Sequence, residues 1–348
     1  MLDNLTRVVQ EDAETELEMI EGLRMLARVT ALCSELMMDA DPELPWFFAM
    51  TTLERYVAGP NPDGVYHLCT IDGGRRYRID GDRGTVTYLG FQILAGTGMQ
   101  PRRMAAHLSD RDLAIGNDGS FSLVLSEKEP DASELEGAHW LGIPDDASAI
   151  VVRQYAADLE AEELASYEIT PLETPGAPPV PSDEVIAGRL TAMAWTMAKL
   201  ATLHRTIMPE LLEDPNRFVT AEASAIGAAD STPDNLYMIG TFRLEPDQAL
   251  VVDVVPPEGR FWNLTIENIW HECIDVRRRR SSITNAAAER RTDGTVRFVL
   301  AARDPGSPNW LDTGDRHRGF MIFRWLDNPT PPTVTTTVVP VAGVSSLP

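Results

Sequence analysis

The second half of the chain holds two histidines that lie near carboxylates in the sequence, a combination suited to proton transfer. His271 and His317 are two of six histidines in 348 residues, and the acids near them include Asp275, Asp304 and Asp312. Histidine titrates near neutral pH, and a carboxylate within hydrogen-bond reach can orient it as a general acid or base. We predict these five residues as the catalytic group. A structural or simply exposed histidine is the alternative.

Arginines crowd the same part of the sequence. Between residues 253 and 324 there are 12 arginines, no lysine and 10 acidic residues, so this region is positive in a chain of net charge −23. Guanidinium groups make paired hydrogen bonds to carboxylate, sulfate or phosphate. Arg277, Arg279 and Arg318 are therefore predicted to bind an anionic group or to stabilise developing negative charge. Alternatively, these arginines pair with the acidic other half and hold the two halves together.

No familiar metal or cofactor motif accompanies these residues. The segment 271–275 (HECID) lacks the second histidine of a helical zinc-protease motif. Residues 96–98 (GTG) lack the third glycine of a dinucleotide-binding loop, and the sequence has neither a P-loop nor a glycine-flanked nucleophilic serine. We therefore expect no metal ion and no cofactor.

The charge balance narrows the range of partners. Thirty basic and 53 acidic residues create a field that repels nucleic acid and anionic membrane surfaces.

No stretch reaches the ~20 apolar residues that span a bilayer, and the N-terminus lacks a basic region followed by an apolar core. Three widely spaced cysteines are typical of reduced thiols. We expect a cytoplasmic protein with a small-molecule partner, and leave open its self-association into a homo-oligomer.

The elements that must position these residues occur twice in the sequence. The clearest correspondence is between NPDGVY at 61–66 and TPDNLY at 232–237, which are 171 positions apart. The paired anchors are 61–66 and 232–237, 118–125 and 293–300, 139–141 and 309–311, and 152–155 and 323–326. Four pairs in one order at nearly one offset indicate a duplicated unit rather than a short solenoid repeat.

Each copy is predicted to begin with a helix and to continue in strands. Apolar residues recur near the helical period from about residue 5 to 38, and Ser182 is a predicted N-cap for a helix that runs to about Leu212. After each helix, short apolar runs alternate with turn residues, as at Asn-Asp-Gly in 117–119. The predicted fold is α+β, mainly β, with two duplicated units that each lead from a helix into an antiparallel, jelly-roll-like β-sandwich.

A proline-rich segment separates the two copies. Residues 171–181 contain five prolines, the composition of a linker. We therefore predict a first helix-plus-sandwich unit over 1–170 and a second over 182–348.

The second copy holds polar residues that the first does not reproduce. Residues shared by both copies are explained by the fold, whereas polar residues present in one copy need another reason. The predicted site therefore lies in segments 262–285 and 304–318. Its substrate-binding candidates, besides the arginines, are Asn263, Trp270, Asn285 and Asn309. Free drift of loops after duplication is the competing explanation.

Parts of the second copy resemble a known family. Residues 261–265 (FWNLT) and 304–312 (DPGSPNWLD), with the final apolar strand at 319–325, are similar to the bacterial family called domain of unknown function 1214. The resemblance covers about residues 230–340. It implies β-sandwich lobes with attached helices, and it implies no particular activity.

Three functions from different classes fit these observations. The first is a cofactor-independent lyase or hydrolase that uses general acid/base chemistry on a small hydroxylated molecule with an apolar, aromatic or steroid-like body, with or without an anionic group. The second is a non-catalytic protein that binds a small molecule or carbohydrate. The third is an assembly unit whose arginines meet the acidic lobe of a neighbouring copy.

Overall fold

The strands follow the same order in both halves of the chain, and helices precede the first strand of each half. The structure is a computed structural model that describes residues 1–96, 100, 102–176, 180–207, 209–221 and 231–347. Its α-helices are α1 Leu2–Asp12, α2 Glu16–Met38, α3 Ala132–Leu135, α4 Asp183–Ala201, α5 Leu203–Thr206 and α6 Glu210–Glu213, and a 3₁₀ helix spans Val341–Ser346. The strands of the first half are β1 Phe48–Ala49, β2 Gly64–Thr70, β3 Tyr77–Asp82, β4 Tyr88–Ala95, β5 Arg103–Ser109, β6 Ser120–Ser126, β7 His139–Gly142, β8 Ala147–Tyr155 and β9 Ser166–Pro171. Those of the second half are β10 Arg217–Ala221, β11 Asn235–Arg243, β12 Gln248–Val254, β13 Trp262–Glu267, β14 Ser282–Thr284, β15 Val296–Ala301, β16 Trp310–Asp312, β17 Arg318–Leu326 and β18 Val334–Pro340.

Each of the two predicted helices is divided into shorter helices at residues that the apolar period does not mark. Thr15 lies between α1 and α2 in an extended conformation, and its hydroxyl accepts a hydrogen bond of 3.2 Å from the N–H of Glu18. Because this residue caps a new helix, the helix predicted over 5–38 is two helices. Ser182 caps α4 as predicted, accepting from the N–H of Val185, but α4 ends before Thr202 and two short helices replace its predicted continuation. None of the helices in the described part of the chain is long and apolar enough to cross a membrane.

Each half folds into two stacked sheets. In the first, the strand orders are β1-β2-β8-β4-β5 and β7-β6-β3-β9. In the second, they are β10-β11-β17-β13-β14 and β16-β15-β12-β18, which is the same arrangement strand for strand. Neighbours such as β2, β8 and β4 are distant in sequence, as in a jelly roll. The predicted mainly-β fold with two duplicated sandwiches is confirmed, with one parallel pair in each unit, β6–β7 and β15–β16.

Alternation along the strands builds the core of each sandwich. Successive side chains of a strand point to opposite faces, so Trp262, Leu264 and Ile266 of β13 enter the core of the second sandwich. Phe91 and Ile93 of β4 do the same in the first. Full burial of a large apolar side chain contributes about 1.5–3 kcal/mol, so each sandwich has a substantial core of its own.

Helices α2 and α4 pack against each other and join the two sandwiches. Their buried apolar residues form one cluster with the outer faces of both five-stranded sheets. Leu68 and Val151 enter this cluster from the first sandwich, Ile239 and Ile322 enter it from the second, and Met197 enters it from α4. Helices α2 and α4 therefore pack against both sandwiches.

The predicted linker lies between the last strand of the first unit and helix α4, the first helix of the second unit. Strand β9 includes Pro171, and α4 begins at Asp183. Residues 177–179 of the predicted linker lie outside the described residues.

The duplication extends to individual hydrogen bonds. The hydroxyl oxygen of Tyr66 accepts from the N–H of Asn61 at 2.9 Å, and that of Tyr237 accepts from the N–H of Thr232 at 3.0 Å. Each residue of the first pair is 171 positions before its counterpart. The two tyrosines therefore occupy equivalent places in the two units.

This equivalence predicts matched losses of stability. Tyr66→Phe and Tyr237→Phe each leave the same kind of backbone N–H without its acceptor, and each is expected to lower the free energy of unfolding by about 1–2 kcal/mol. Tyr56→Phe is the control, because the Tyr56 hydroxyl makes no hydrogen bond within the described part of the chain, and it should change stability little. Urea unfolding measures all three. A loss confined to one of the two paired tyrosines would contradict their equivalence.

Candidate functional site

A row of polar side chains lies on the outer face of β13. Asn263, Thr265 and Glu267 point away from the sandwich core that Trp262 and Leu264 fill, and all three are completely buried. We call them the β13 polar row. Buried polar groups are costly unless hydrogen-bonded, so this face needs partners, and the first unit supplies those of Asn263.

Arg324 of the neighbouring strand β17 crosses the β13 polar row. Its Nη1 donates to Thr265 Oγ1 at 2.8 Å. Its Nη2 donates to the carbonyl oxygen of Gly59 at 3.0 Å and lies 4.0 Å from Glu267 Oε1. Burial alone would lower the pKa of Arg324, but the combined effect of the groups around it, of which Tyr66 and Glu267 are the largest, raises the pKa. The guanidinium is therefore a fixed positive charge between the units.

His271 and Glu267 form a buried pair at one end of the row. His271 Nδ1 lies 2.9 Å from Glu267 Oε2, and the imidazole stacks on Phe320 with 3.9 Å between ring centroids. Among the described residues nothing hydrogen-bonds to His271 Nε2 or to Glu267 Oε1, although both atoms are buried. His271 has a φ of 56°, a left-handed conformation that costs energy in a non-glycine residue and occurs preferentially at functional sites. The geometry is that of a carboxylate orienting an imidazole.

A tight turn after β13 brings His271 back to this position. Asn268 Oδ1 accepts from the N–H groups of Trp270 and Glu272 at 2.9 and 3.1 Å, as asparagine does in turns. The Glu272 carboxylate in turn accepts from two arginines of α2 at 3.0 and 2.7 Å. The turn that carries His271 is therefore held in place by a helix from the beginning of the chain.

A loop of the first unit closes the other end of the row. Asn263 Nδ2 donates to Asn61 Oδ1 at 2.6 Å and to Asp63 Oδ2 at 2.7 Å, and Ser282 also donates to Asp63. Burial raises the pKa of Asp63, while the hydrogen bonds from Ser282 and Asn263 oppose the shift. Within the described residues, Asn61 Nδ2 and Asn263 Oδ1 have no hydrogen-bond partner. Both amides therefore retain polar atoms able to bond to a ligand.

The same contact occurs in the opposite direction. Asp234, 171 residues after Asp63, reaches into the first unit. Its Oδ2 accepts from the Tyr88 hydroxyl at 2.9 Å and lies 3.4 Å from His107 Nε2. Each unit thus inserts the aspartate of its Pro-Asp motif into the other, which gives the interface an approximate twofold symmetry.

The predicted catalytic residues do not converge in the structure. His271 lies in the interface, but Asp304 is exposed and Asp275 lies 3.4 Å from neighbouring Arg278. The carboxylate that contacts His271 is Glu267. Glu267 and His271 are four residues apart, and their contact depends on the geometry of the turn between them, which cannot be predicted from the sequence.

His317 and Arg318 belong to an ionic cluster with the first helices. Arg318 donates to Glu18 at 2.7 and 2.8 Å and to Glu14 at 2.6 Å, and His317 Nε2 lies 3.0 Å from Glu14. A hydrogen bond from Arg243, with His317 and Arg318 nearby, lowers the pKa of Glu14 to about 2. Arg318 therefore pairs with acidic residues of the first half of the chain.

The remaining predicted residues have structural partners of their own. Arg279 donates to Asp312 at 2.8 Å, and exposed Arg277 lies 3.3 Å from Glu54. Asn285 Oδ1 accepts from the N–H of Trp262, the first residue of β13, at 3.3 Å. The Asn309 side chain accepts from the N–H of Glu289 and donates to its carbonyl oxygen, both at 2.8 Å. Trp270 Nε1 donates to the carbonyl oxygen of Glu18 at 2.8 Å. Of the predicted binding set, it is Asn263 that joins His271 in the interface.

Sequence reasoning missed Glu267, Arg324 and Asp63. A signal for Arg324 was present, because it and Arg153 occupy the same place in the repeated segments 152–155 and 323–326, inside strands that are otherwise largely apolar. A fully buried arginine is rare unless paired, so an arginine in such a strand indicates an ionic contact. Glu267 gave no comparable signal, since a polar residue in an alternating strand ordinarily faces solvent.

Two surface depressions lie away from this interface. One of about 450 Å³ is lined by acidic residues of the first unit, including Asp80, Asp82 and Glu168, and a much smaller one lies beside Trp46 and Phe48. Across the described ranges, no group of three or more histidine, cysteine or acidic side chains is arranged to hold a metal ion.

Fold and interface together define a duplicated, mainly-β protein whose two sandwiches enclose a polar contact layer. The family model described as protein of unknown function (DUF1214) matches residues 69–159 and 227–330, one segment in each unit. The chain belongs to this family, which confirms the resemblance noted in the sequence.

Solved structures share this architecture. An uncharacterized protein from Burkholderia cenocepacia is 28% identical, with a TM-score of 0.91 over 99% of this chain and 95% of that chain. The VPA0106 protein from Vibrio parahaemolyticus is 13% identical, with a TM-score of 0.53 over 91% of this chain and 98% of that chain, a likeness of fold alone. None of the curated proteins compared with the chain matches it.

The ionic cluster predicts a structural effect for Arg318. Arg318→Met removes the guanidinium that pairs with the buried carboxylate of Glu18 and is expected to lower the free energy of unfolding by about 3–5 kcal/mol. Arg277→Met removes an exposed pair and should change it by less than about 0.5 kcal/mol. Urea unfolding at neutral pH compares the two variants. Equally small effects would show that the Arg318–Glu18 pair does not stabilise the fold.

The same cluster predicts an acid-sensitive contribution to stability. The pKa of Glu14 is lowered from its ordinary value of 4.5 to about 2 in the folded protein. Its contribution is therefore present above the unfolded value and is lost as pH falls from about 4.5 towards about 2. Glu14→Gln is expected to be less stable than wild type at neutral pH, with the difference shrinking across that acid range. Denaturant unfolding at several pH values measures it, and a pH-independent difference would contradict the assignment.

Proposed function

We propose that this protein is a cofactor-independent lyase or hydrolase in which His271 transfers a proton. The observation that carries the proposal is the buried His271–Glu267 pair, with Nδ1 held 2.9 Å from the carboxylate and Nε2 without a partner in the described part of the chain. A carboxylate at Nδ1 favours the tautomer whose Nε2 can accept a proton. In this mechanism Nε2 takes a proton from water or substrate and returns it to the leaving group.

The surroundings of the pair indicate a substrate class. Arg324 supplies positive charge in a water-shielded place, where it stabilises developing negative charge strongly. The unpartnered amide atoms of Asn61 and Asn263 suit hydroxyl groups. Tyr66 and Tyr237, which lie beside the two buried arginines on the facing sheets, offer ring surface. The expected substrate is a small hydroxylated molecule with an apolar, aromatic or steroid-like part, with or without an anionic group.

Entry of a substrate requires movement of the segment that covers the row. Residues 57–63 of the first unit lie over it, tied by a bond of 2.9 Å from the N–H of Gly59 to the carbonyl oxygen of His271 and by the bond from Arg324 to Gly59. Ala58 and Gly59 both have left-handed φ angles, 71° and 70°. We propose that displacement of this segment admits the substrate, as loop movement does in many enzymes.

The proposal includes a cytoplasmic location and a small-molecule partner, without contacts to nucleic acid or membranes. The net charge of −23 supports the exclusion of polyanionic partners. The three cysteines are free and buried, and burial raises the pKa of Cys33 to about 12. Unreactive thiols of this kind are compatible with a reducing compartment.

A non-catalytic role in binding a small molecule or carbohydrate is the second candidate. It is favoured by three interface amides, those of Asn61, Asn235 and Asn263, which each retain a buried polar atom without a partner in the described residues. A few placed polar groups beside aromatic rings are typical of binding sites for such ligands.

A screen of p-nitrophenyl esters and β-hydroxy acids tests the catalytic proposal. His271→Gln preserves polarity but cannot transfer a proton, and it is expected to lower kcat/KM by about 100-fold or more. His317→Gln is the matched control, because His317 lies in the ionic cluster with Glu14, and it should leave kcat/KM nearly unchanged.

Thermal unfolding of both variants separates loss of chemistry from loss of folding. Undiminished turnover in a folded His271→Gln variant would rule out the mechanism. Absence of turnover in the wild type, together with a retained ligand seen by native mass spectrometry, would favour the binding role.

A further inference from the structure

Strand β18 is an edge strand whose outer side is open. It is the last strand of its sheet and pairs with β12 alone. Just beyond it, the N–H of Val341 bonds to the carbonyl oxygen of Asp247 at 2.8 Å. Because hydrogen-bonded and non-hydrogen-bonded pairs alternate along antiparallel strands, the N–H and C=O groups that point away from β12 are those of Val334, Thr336 and Val338. These outward groups have no partner in the described residues, and four of the seven residues of β18 are exposed.

The other edge strands are protected against further pairing, and β18 is not. Proteins ordinarily protect a sheet edge by short length, charge or proline. Of the eight edge strands in the described ranges, β1, β7, β14 and β16 have four residues or fewer. The edge strands β5, β9 and β10 carry a charged residue each, namely Arg103, Glu168 and Arg217. Strand β18 has seven residues and no charge, and its one proline is its last residue.

The whole segment around β18 lacks charge. Residues 328–348 include no ionisable side chain, although 24% of the chain is Asp, Glu, Lys or Arg, which would give about five in a segment of this length. Covering a charged side chain costs hydration, and the centres of protein interfaces are depleted of charged residues. The segment therefore has the composition of a contact surface.

The first unit shows the same edge in a protected form. Strand β9 occupies there the place that β18 has in the second unit. The strands that pair with β3 and β12 belong to repeated segments 175 positions apart, and this register makes Thr335 the counterpart of Glu168 and Val338 the counterpart of Pro171. A charge and a proline both discourage the addition of a strand. The second copy lacks both at the equivalent positions.

We propose that two copies of this chain associate through β18, paired antiparallel about a twofold axis at Thr337. The two four-stranded sheets then form one continuous sheet of eight strands. Thr336 of each copy exchanges two backbone hydrogen bonds with Val338 of the other, and the carbonyl oxygen of Pro340 accepts from the N–H of Val334. The contact is self-complementary, as a twofold interface must be, and backbone hydrogen bonds carry it, as in other cases of strand addition.

A second β18 fits this edge better than a foreign strand does. A strand from another protein is selected through pockets for its alternate side chains, whereas both surface depressions described above are lined by residues of the first unit. In a chain of net charge −23, two copies approach most easily where neither carries charge. Seven residues a side are far fewer than the ~20–30 of a standard interface. The dimer is therefore expected to dissociate at low concentration.

Sedimentation velocity over a range of protein concentrations tests the proposal. Wild type is expected to reach twice the monomer mass. Val338→Pro removes an outward N–H and is expected to raise the dissociation constant at least about tenfold. The fold should accept this change, because Pro171 has the equivalent place in the first unit. Val338→Thr is the matched control, since it keeps the N–H and the β-branched shape, and its dimer should be nearly as tight as that of wild type.

Thr335→Glu is a second variant that does not depend on proline. It reproduces Glu168 of the first unit and is expected to weaken the dimer about fivefold, because the carboxylate lies opposite Val339 of the other copy. Thermal unfolding checks that each variant is folded. A wild type that stays monomeric at the highest concentration would exclude a second copy as the partner. Wild-type affinity in folded Val338→Pro or in Thr335→Glu, or equal weakening by Val338→Pro and Val338→Thr, would also overturn the proposal.

Disulfide crosslinking tests the register. With the axis at Thr337, the Cα atoms of this residue in the two copies are about 4.5 Å apart, which suits a disulfide. The two copies of Thr335 are then four residues out of register, about 13 Å apart. Thr337→Cys is expected to form an intermolecular disulfide under mild oxidation and Thr335→Cys is not, although both positions are exposed. The three native cysteines are buried and do not interfere. Equal crosslinking at the two positions would refute the register.

Discussion

Two buried arginines, one on each of the facing sheets, impose the constraint on which the rest of this structure depends. A guanidinium removed from water is tolerated only where hydrogen bonds and opposite charge replace its hydration. Arg153 bonds to Gln92 and lies 5.9 Å from the centre of the Tyr66 ring, and Arg324 lies 4.0 Å from Glu267. Arg324 also needs a carbonyl oxygen from the other unit. The second sandwich therefore cannot satisfy its outer face alone, and the contact between the units is a condition of its fold.

Strand register shows where the two copies have diverged. Leu94 pairs with Ala149 in the first unit, and Glu267 pairs with Phe320 in the second. Ala149 and Phe320 are 171 residues apart, so Leu94 and Glu267 occupy equivalent positions. A well-packed leucine generally stabilises such a place as well as or better than an ionisable residue. The second copy nevertheless has a carboxylate there, joined to a histidine in a left-handed conformation, and this asymmetry supports a role for the pair beyond stability.

The sequence predicts those parts of this fold that depend on local order and on repetition. The strand alternation and the N-cap at Ser182 follow from neighbouring residues, and the 171-residue offset follows from comparison of the two halves. The break at Thr15 was missed because a capping threonine does not disturb the apolar period. The site was only partly predicted: His271 and Asn263 were identified, but Glu267 was not, because alternation marks an outer face without showing that another unit covers it. Pairing of Arg318 with Glu18 spans 300 positions, and no local pattern encodes it.

By sequence, the first helices belong to the first unit, but their charged contacts lie mainly with the second. Glu14 and Glu18 bind Arg318, and two arginines of α2 hold Glu272, the residue that follows His271. The sequence boundaries therefore describe the repeat rather than independent units of stability. This contact has a physical consequence for the His271–Glu267 pair. Charges from a helix outside its own sheet fix the turn that carries His271, so in the proposed mechanism the carboxylate–imidazole geometry is held while the covering segment 57–63 moves.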